Sequence, residues 1–214
     1  MMRLHILSCL LCFSVAIFLT SCGGDAAVFD NFGANNPEPL TLNEACHYDI
    51  TLLDTSFKQD SEDGDRTCIL GSKKEVDPVS GMTSTIRNAG LTDQASGYGL
   101  VVSKGTLTFN TASGTTPTNT EFESMFEKGD YDFSMDAENG FQLVFMDDDG
   151  VEWSSSKGDA INSSNWLSIK DMVSGDVNGV FSVTIRAEFS CGMANDVGDL
   201  RGCNGTFVMT FQNE

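Results

Sequence analysis

The most regular pattern in the chain lies close to its end. Between residues 180 and 189, Phe181, Val183, Ile185, Ala187 and Phe189 alternate with Ser182, Thr184, Arg186 and Glu188. A period of two gives one dry and one wet face, which predicts a half-buried β-strand. Residues 204–212 repeat the pattern, with Phe207, Met209 and Phe211 on one side and Thr206, Val208 and Thr210 on the other. The two segments are expected to form a C-terminal hairpin. Weaker copies occur at Tyr48-Ile50-Leu52, Leu100-Val102, Leu107-Phe109, Tyr131-Phe133-Met135 and Phe141-Leu143-Phe145, and short runs at Val151-Trp153 and Leu167-Ile169. Asp147-Asp148-Asp149-Gly150 and Ser174-Gly175-Asp176-Val177-Asn178-Gly179 sit between such runs and carry turn chemistry.

One segment breaks the alternation. Thr118 precedes Glu121 and Thr120 precedes Glu123, so two overlapping capping boxes are available. Phe122, Met125 and Phe126 then share one face at helical spacing. Lys128 and Gly129 suit a helix end. A short helix near 119–128 is predicted, held by packing rather than by its own propensity. Residues 56–98 are polar, acidic and interrupted by Gly, which predicts long loops with one or two short strands. The expected fold class is therefore all-β, an antiparallel β-sandwich with that one helix.

Composition narrows the setting. The chain has 214 residues, 12 basic against 31 acidic, for a net charge of -19. Such acidity argues against binding to nucleic-acid phosphates. The hydrophobic content of 40% is ample for a packed core, and 21 Gly against 4 Pro fits a turn-rich β chain.

The first residues look like an address. Met1-Met2-Arg3 is followed by an apolar run from Ile6 to Leu19, too short to span a bilayer but suited to a secretory signal peptide. It ends Leu19-Thr20-Ser21-Cys22, which resembles the lipobox of bacterial lipoproteins. The resemblance implies a diacylglyceryl group on Cys22 and cleavage between Ser21 and Cys22. Membrane attachment would then run through lipid, with acyl chains contributing about 0.8 kcal/mol per buried CH₂. In enteric bacteria an Asp after this Cys marks retention; Gly23 stands there, so the outer membrane is the expected destination, its leaflet open. Residues 1–21 would be the signal peptide, 22–40 a flexible tether reaching roughly 25 Å, and 41–214 the folded domain. Removing the leader takes away one Arg and no acid, leaving 11 basic and 31 acidic residues.

Seven cysteines then divide up. Cys9 and Cys12 leave with the leader and Cys22 carries lipid, so Cys46, Cys68, Cys191 and Cys203 remain in an oxidising compartment. Of three possible connectivities, Cys46–Cys68 with Cys191–Cys203 is favoured. The C-x₂₋₄-C spacing of a thiolate zinc site is absent.

From Thr120 to Glu214 the chain resembles small lipoproteins of Bacteroidota type. The likeness rests on Gly129-Asp130-Tyr131-Asp132-Phe133 after a Phe-rich helix, on Trp153-Ser154-Ser155-Ser156, on Gly179-Val180-Phe181-Ser182 and on Asn204-Gly205-Thr206-Phe207. It implies a β-sandwich and no activity.

Candidate chemistry is sparse. His47 is the only histidine beyond the leader and has no G-x-S-x-G partner, so no catalytic residue is assigned. The acidic runs Asp60–Asp65 and Asp147–Asp149 lack EF-hand spacing, so no metal is expected. Trp153 and Trp166 are the two indoles that could offer a glycan platform. The expected molecule is a lipid-anchored envelope lipoprotein without cofactor, a binding or structural module for a protein or glycan. The alternative is a calycin-like barrel carrying an apolar ligand.

Overall fold

The computed structural model describes residues 38–42, 44–63, 66–93, 96–110, 116–134, 140–157, 160 and 164–214. The leader, Cys22 and most of the expected tether lie outside them. Pro39–Glu214 form one compact unit. Leu40, placed in the tether by its sequence, is buried in this unit.

The strands are β1 (His47–Leu52), β2 (Thr55–Asp60), β3 (Arg66–Val76), β4 (Met82–Asp93), β5 (Gly99–Asn110), β6 (Gly129–Tyr131), β7 (Phe141–Met146), β8 (Glu152–Ser154), β9 (Trp166–Val177), β10 (Val180–Ala194) and β11 (Leu200–Gln212). The helix α1 covers Asn119–Ser124. The fold is all-β and antiparallel, as expected. One run of strands is ordered β6-β9-β10-β11-β1-β2 and the other β8-β7-β5-β4-β3. A bridge between Ala194 and Ser154 joins them at one corner into a continuous sheet, and an isolated bridge between Phe133, just after β6, and Phe141 of β7 links them again. The other ends, β2 and β3, do not pair, so the sheet is not closed. Inward side chains from both runs share one core. Tyr48 of β1 and Phe57 of β2 meet Phe145 of β7 with ring centroids 6.3 and 4.9 Å apart.

The C-terminal hairpin forms and is longer than its pattern. The ladder runs from Ser182 opposite Gln212 to Ala194 opposite Leu200. Asn178 and Gly179 both take positive φ, 53° and 85°, in the two-residue turn between β9 and β10. That pairing matches the right-handed twist of the strands it joins. The capping box of α1 is Thr118 with Glu121, both bonds made. The helix stops early, with Met125 as C-cap, and Lys128 pairs instead with Asp171 at 2.6 Å. Phe122 and Phe126 are fully buried, and Phe126 lies 4.7 Å from Phe211.

Residues 56–98 correct the expectation of loops. They hold β2, the 11-residue β3 and the 12-residue β4. The reason is chemical. The buried side of β4 carries Thr83, Thr85 and Arg87 before Ala89 and Leu91, so its inward positions are polar. Positions 71–76 of β3 are exposed in succession, so no period of two appears there.

Leu42 and Glu44, on either side of residue 43, lie against β9 and β10. Thr184 donates its hydroxyl to Leu42 O at 3.0 Å, and Glu44 pairs with Arg186 at 3.2 Å. These contacts cover the helix end of both strands. They leave the Ser190–Gly192 end of β10 uncovered.

Candidate functional site

The two tryptophans have opposite surroundings. Trp153 on β8 is 1% exposed. Its Nε1 donates to Asp147 Oδ2 at 2.9 Å, while Asp147 Oδ1 accepts from the Asp149 and Val151 amides at 3.1 and 2.8 Å. The Arg201 guanidinium stacks on the indole, 4.4 Å from a ring centroid. The acidic turn thus exists to close β7 onto β8, and Trp153 offers no platform to solvent. Trp166, at the start of β9, is 43% exposed.

The cysteines divide as well. Cys46 and Cys68 form a disulfide, with Cα atoms 5.9 Å apart. Cys191 and Cys203 are free and buried, which corrects the second expected disulfide. The sequence places them in a connection between two strands. In fact β10 and β11 run through both, and the two residues sit directly opposite in the ladder. Backbone hydrogen bonds already hold the strands there, and the thiols fill core space as small apolar groups. Burial raises the Cys203 thiol to about 12 and pushes Cys191 higher still, with Cys203 nearby adding to it.

His47 is partly buried, its Nδ1 2.9 Å from Ala45 O. Asp60 Oδ1 accepts the Glu62 amide at 2.9 Å, a local turn bond. Neither residue faces another catalytic group in the described structure.

A buried cation that the sequence reading did not single out is Arg87, 1% exposed. Its Nη1 donates to Gln212 O and Glu214 O at 3.2 and 2.6 Å, and Nη2 to Asn213 Oδ1 at 3.3 Å. Its guanidinium carbon is 5.3 Å from the Phe122 ring centre. Desolvation lowers its pKa to about 10, against a smaller opposing pull from Glu214. Arg87 is structural: it ties β4 to the end of β11.

The open end of the outer face carries a different construction. Gly192 of β10 and Gly202 of β11 are direct ladder partners. Neither projects a side chain, and a Cβ added at Gly202 would meet nothing within 4 Å. The result is a pit of about 300 Å³ lined by Ser164, Asn165, Ser190, Cys191, Gly192, Leu200, Arg201 and Gly202. Asn165 fixes one wall: its Oδ1 accepts the Gly192 amide at 3.1 Å and its Nδ2 donates to Ala160 O at 2.6 Å. Across the ladders, Trp166 stands opposite Ser190, Ser190 opposite Asn204, Asn204 opposite Thr51, and Thr51 opposite Ser56. Opposed residues share a face, so these five form one outward row beside the pit. The row contains no ionisable group. The Asn204 amide oxygen is sheltered and has no hydrogen-bond partner among the described residues.

Apolar side chains border the same place. Leu200 is 52% exposed on a pit wall, and Leu53, 59% exposed, donates its amide to Gly202 O at 2.8 Å. Leu53 also holds φ at 56°, a left-handed conformation that a bulky side chain seldom adopts. Leu53 takes this conformation in the two-residue turn between β1 and β2. The hairpin register reveals this site; the sequence pattern ends each strand two to three residues short of the glycines.

Comparison of the chain with family models, with curated proteins and with solved structures finds no match.

Proposed function

We propose that the protein is a lipid-anchored lipoprotein of the outer membrane, held through Cys22, whose β domain is a non-catalytic binding module. The observation that carries the binding part is the glycine pit at Gly192 and Gly202, with exposed Leu200 in its lining, exposed Trp166 opposite Ser190 and exposed Leu53 bonded to Gly202. The anchor rests on the leader and the Leu19-Thr20-Ser21-Cys22 sequence.

The barrel alternative has less support. An apolar ligand in a calycin-like barrel needs interior space, and the interior here is filled by Trp153, Tyr48, Phe141, Phe145, Phe189, Phe207 and Phe211 at no more than 1% exposure. The concavity described above opens outward, and Ser164, Asn165, Ser190, Gly192 and Gly202 are among its lining residues.

Two measurements test this reading. Cys22→Ala is expected to move the protein from the membrane to the soluble fraction; continued membrane association overturns the anchor. Amide chemical shifts of the ¹⁵N-labelled protein, titrated with a dialysed digest of bacterial envelope, are expected to move at residues 164–166, 190–192 and 200–204. Movement confined to other regions, or none, overturns the assignment of the pit.

A further inference from the structure

The geometry points to a neutral saccharide as the ligand of the pit, with one sugar ring stacked on Trp166 and its hydroxyls held by the Ser190–Asn204–Thr51 row. This deepens the binding-module reading and rests on it.

Size comes first. A concavity of about 300 Å³ sits at the lower end of small-ligand sites. The polar row runs perpendicular to the strands across five of them, roughly 19 Å at ~4.8 Å per strand. A short, extended chain of small rings fits a footprint of that shape.

Charge comes second. The protein carries -19 overall, which repels anionic ligands. Arg201 is the one ionisable side chain lining the pit besides the buried thiol, and its guanidinium is stacked on Trp153. Among the described residues that line it, the pit has no carboxylate. The neighbouring charged pair, Lys170 with Glu188 at 3.3 Å, neutralises itself.

Chemistry comes third. The site joins an indole and two leucines to hydroxyl and amide groups, some donors and some acceptors. An uncharged molecule with apolar C–H faces and a belt of hydroxyls matches both halves at once. A purely apolar ligand would leave the Asn204 amide oxygen and the Ser190 hydroxyl against hydrocarbon, at a cost. An incoming hydroxyl can instead donate to the Asn204 amide oxygen after a small rotation of that side chain. Gly202 leaves open floor for close approach, while the Ala160 carbonyl and Leu200 Cδ1 stand over Gly192, 3.0 and 3.3 Å from where its Cβ would lie.

The test is affinity electrophoresis of the full chain in native gels containing a mixed-linkage β-glucan, a galactomannan, a xylan, amylopectin or polygalacturonate. At least one neutral polysaccharide is expected to retard the protein, and the acidic one is not. Trp166→Ala and Gly202→Trp are expected to lower the affinity roughly tenfold or more, Trp166→Tyr to keep most of it. Both residues face solvent, so melting temperatures should stay close to that of the unaltered chain, and a circular-dichroism melt of each variant checks this. Failure of all neutral polysaccharides, or retardation unchanged in both disruptive variants, overturns the saccharide. If the envelope digest still shifts the pit amides, only the ligand class has failed. If those shifts are missing too, the binding module falls with it.

Discussion

Two seams hold the strands of this protein together, and they are built in different ways. One is the face-to-face meeting of the two strand runs, where β3 and β4 approach β1, β2 and β11 without a hydrogen-bonded ladder. The other is the β10–β11 hairpin, with thirteen register pairs of backbone. The first seam contains the Cys46–Cys68 disulfide and the Arg87 fork onto residues 212–214. The second contains two opposed cysteines without a bond between them. Covalent and charged ties appear where the backbone cannot bond to itself, and are missing where it already does.

The comparison can be broken most forcefully at Arg87. Replacing it by Ala removes a buried stem and three hydrogen bonds from the open seam. A loss of about 4 kcal/mol is expected, close to that of a large core side chain cut to Ala. For a domain of this size that lowers the melting temperature by about 12 °C. Arg87→Lys should recover only a small part, because a single ammonium cannot reach three acceptors as the fork does. A Lys variant as stable as the original would show that the charge alone matters at the seam.

Next is the disulfide. It closes a loop of 22 residues, for which chain entropy gives about 3 kcal/mol. The Cys46→Ala, Cys68→Ala double variant should therefore melt about 9 °C lower. The corresponding change at Cys191 and Cys203 deletes one small buried group per site. About 1 kcal/mol each is expected, in the range of a single methylene. Mass measurement without reductant should find one disulfide, with Cys191 and Cys203 alkylated only after unfolding. Equal losses for the two pairs, or a second disulfide, would erase the contrast between the seams.

How much of this could be read from the chain follows the same division. The C-terminal hairpin was legible because Phe181 to Phe189 and Phe207 to Phe211 alternate cleanly. So were the Thr118–Glu121 cap and the Asp147 turn, which depend on local spacing. β4 was not, because it places Thr83, Thr85 and Arg87 inward, and Arg87 finds its acceptors only on residues 212–214, 125 to 127 positions away. The pit was missed for a related reason. Gly192 and Gly202 carry no hydropathy signal, and become a site only when the hairpin register sets them opposite each other. Trp153 and Trp166 look alike in sequence; the Asp147 carboxylate and Arg201 separate them in space.

The smallest expected effect is also the one that separates the seams most cleanly. Bonded Cys46 and Cys68 do not titrate, so the open seam adds no thiol dependence on pH. Cys203 does titrate, with a folded pKa of about 12 against 9.0 for an ordinary thiol. Between these values the unfolded chain loses a proton that the folded chain keeps. The folded state is therefore favoured by this group below pH 9 and loses that advantage as pH rises toward 12. Cys191 acts in the same sense. Tyr131, raised from 10.0 to about 12 by burial and by Glu127, follows at higher pH. At pH 9.5 each thiol should account for somewhat under about 1 kcal/mol of lost stability. Melting curves from pH 7.5 to 9.5 should fall with pH for the unaltered chain and fall less steeply for Cys191→Ala, Cys203→Ala. Identical slopes would mean that the ladder thiols are not protonated in the folded state, and that the hairpin seam is closed by a bond after all.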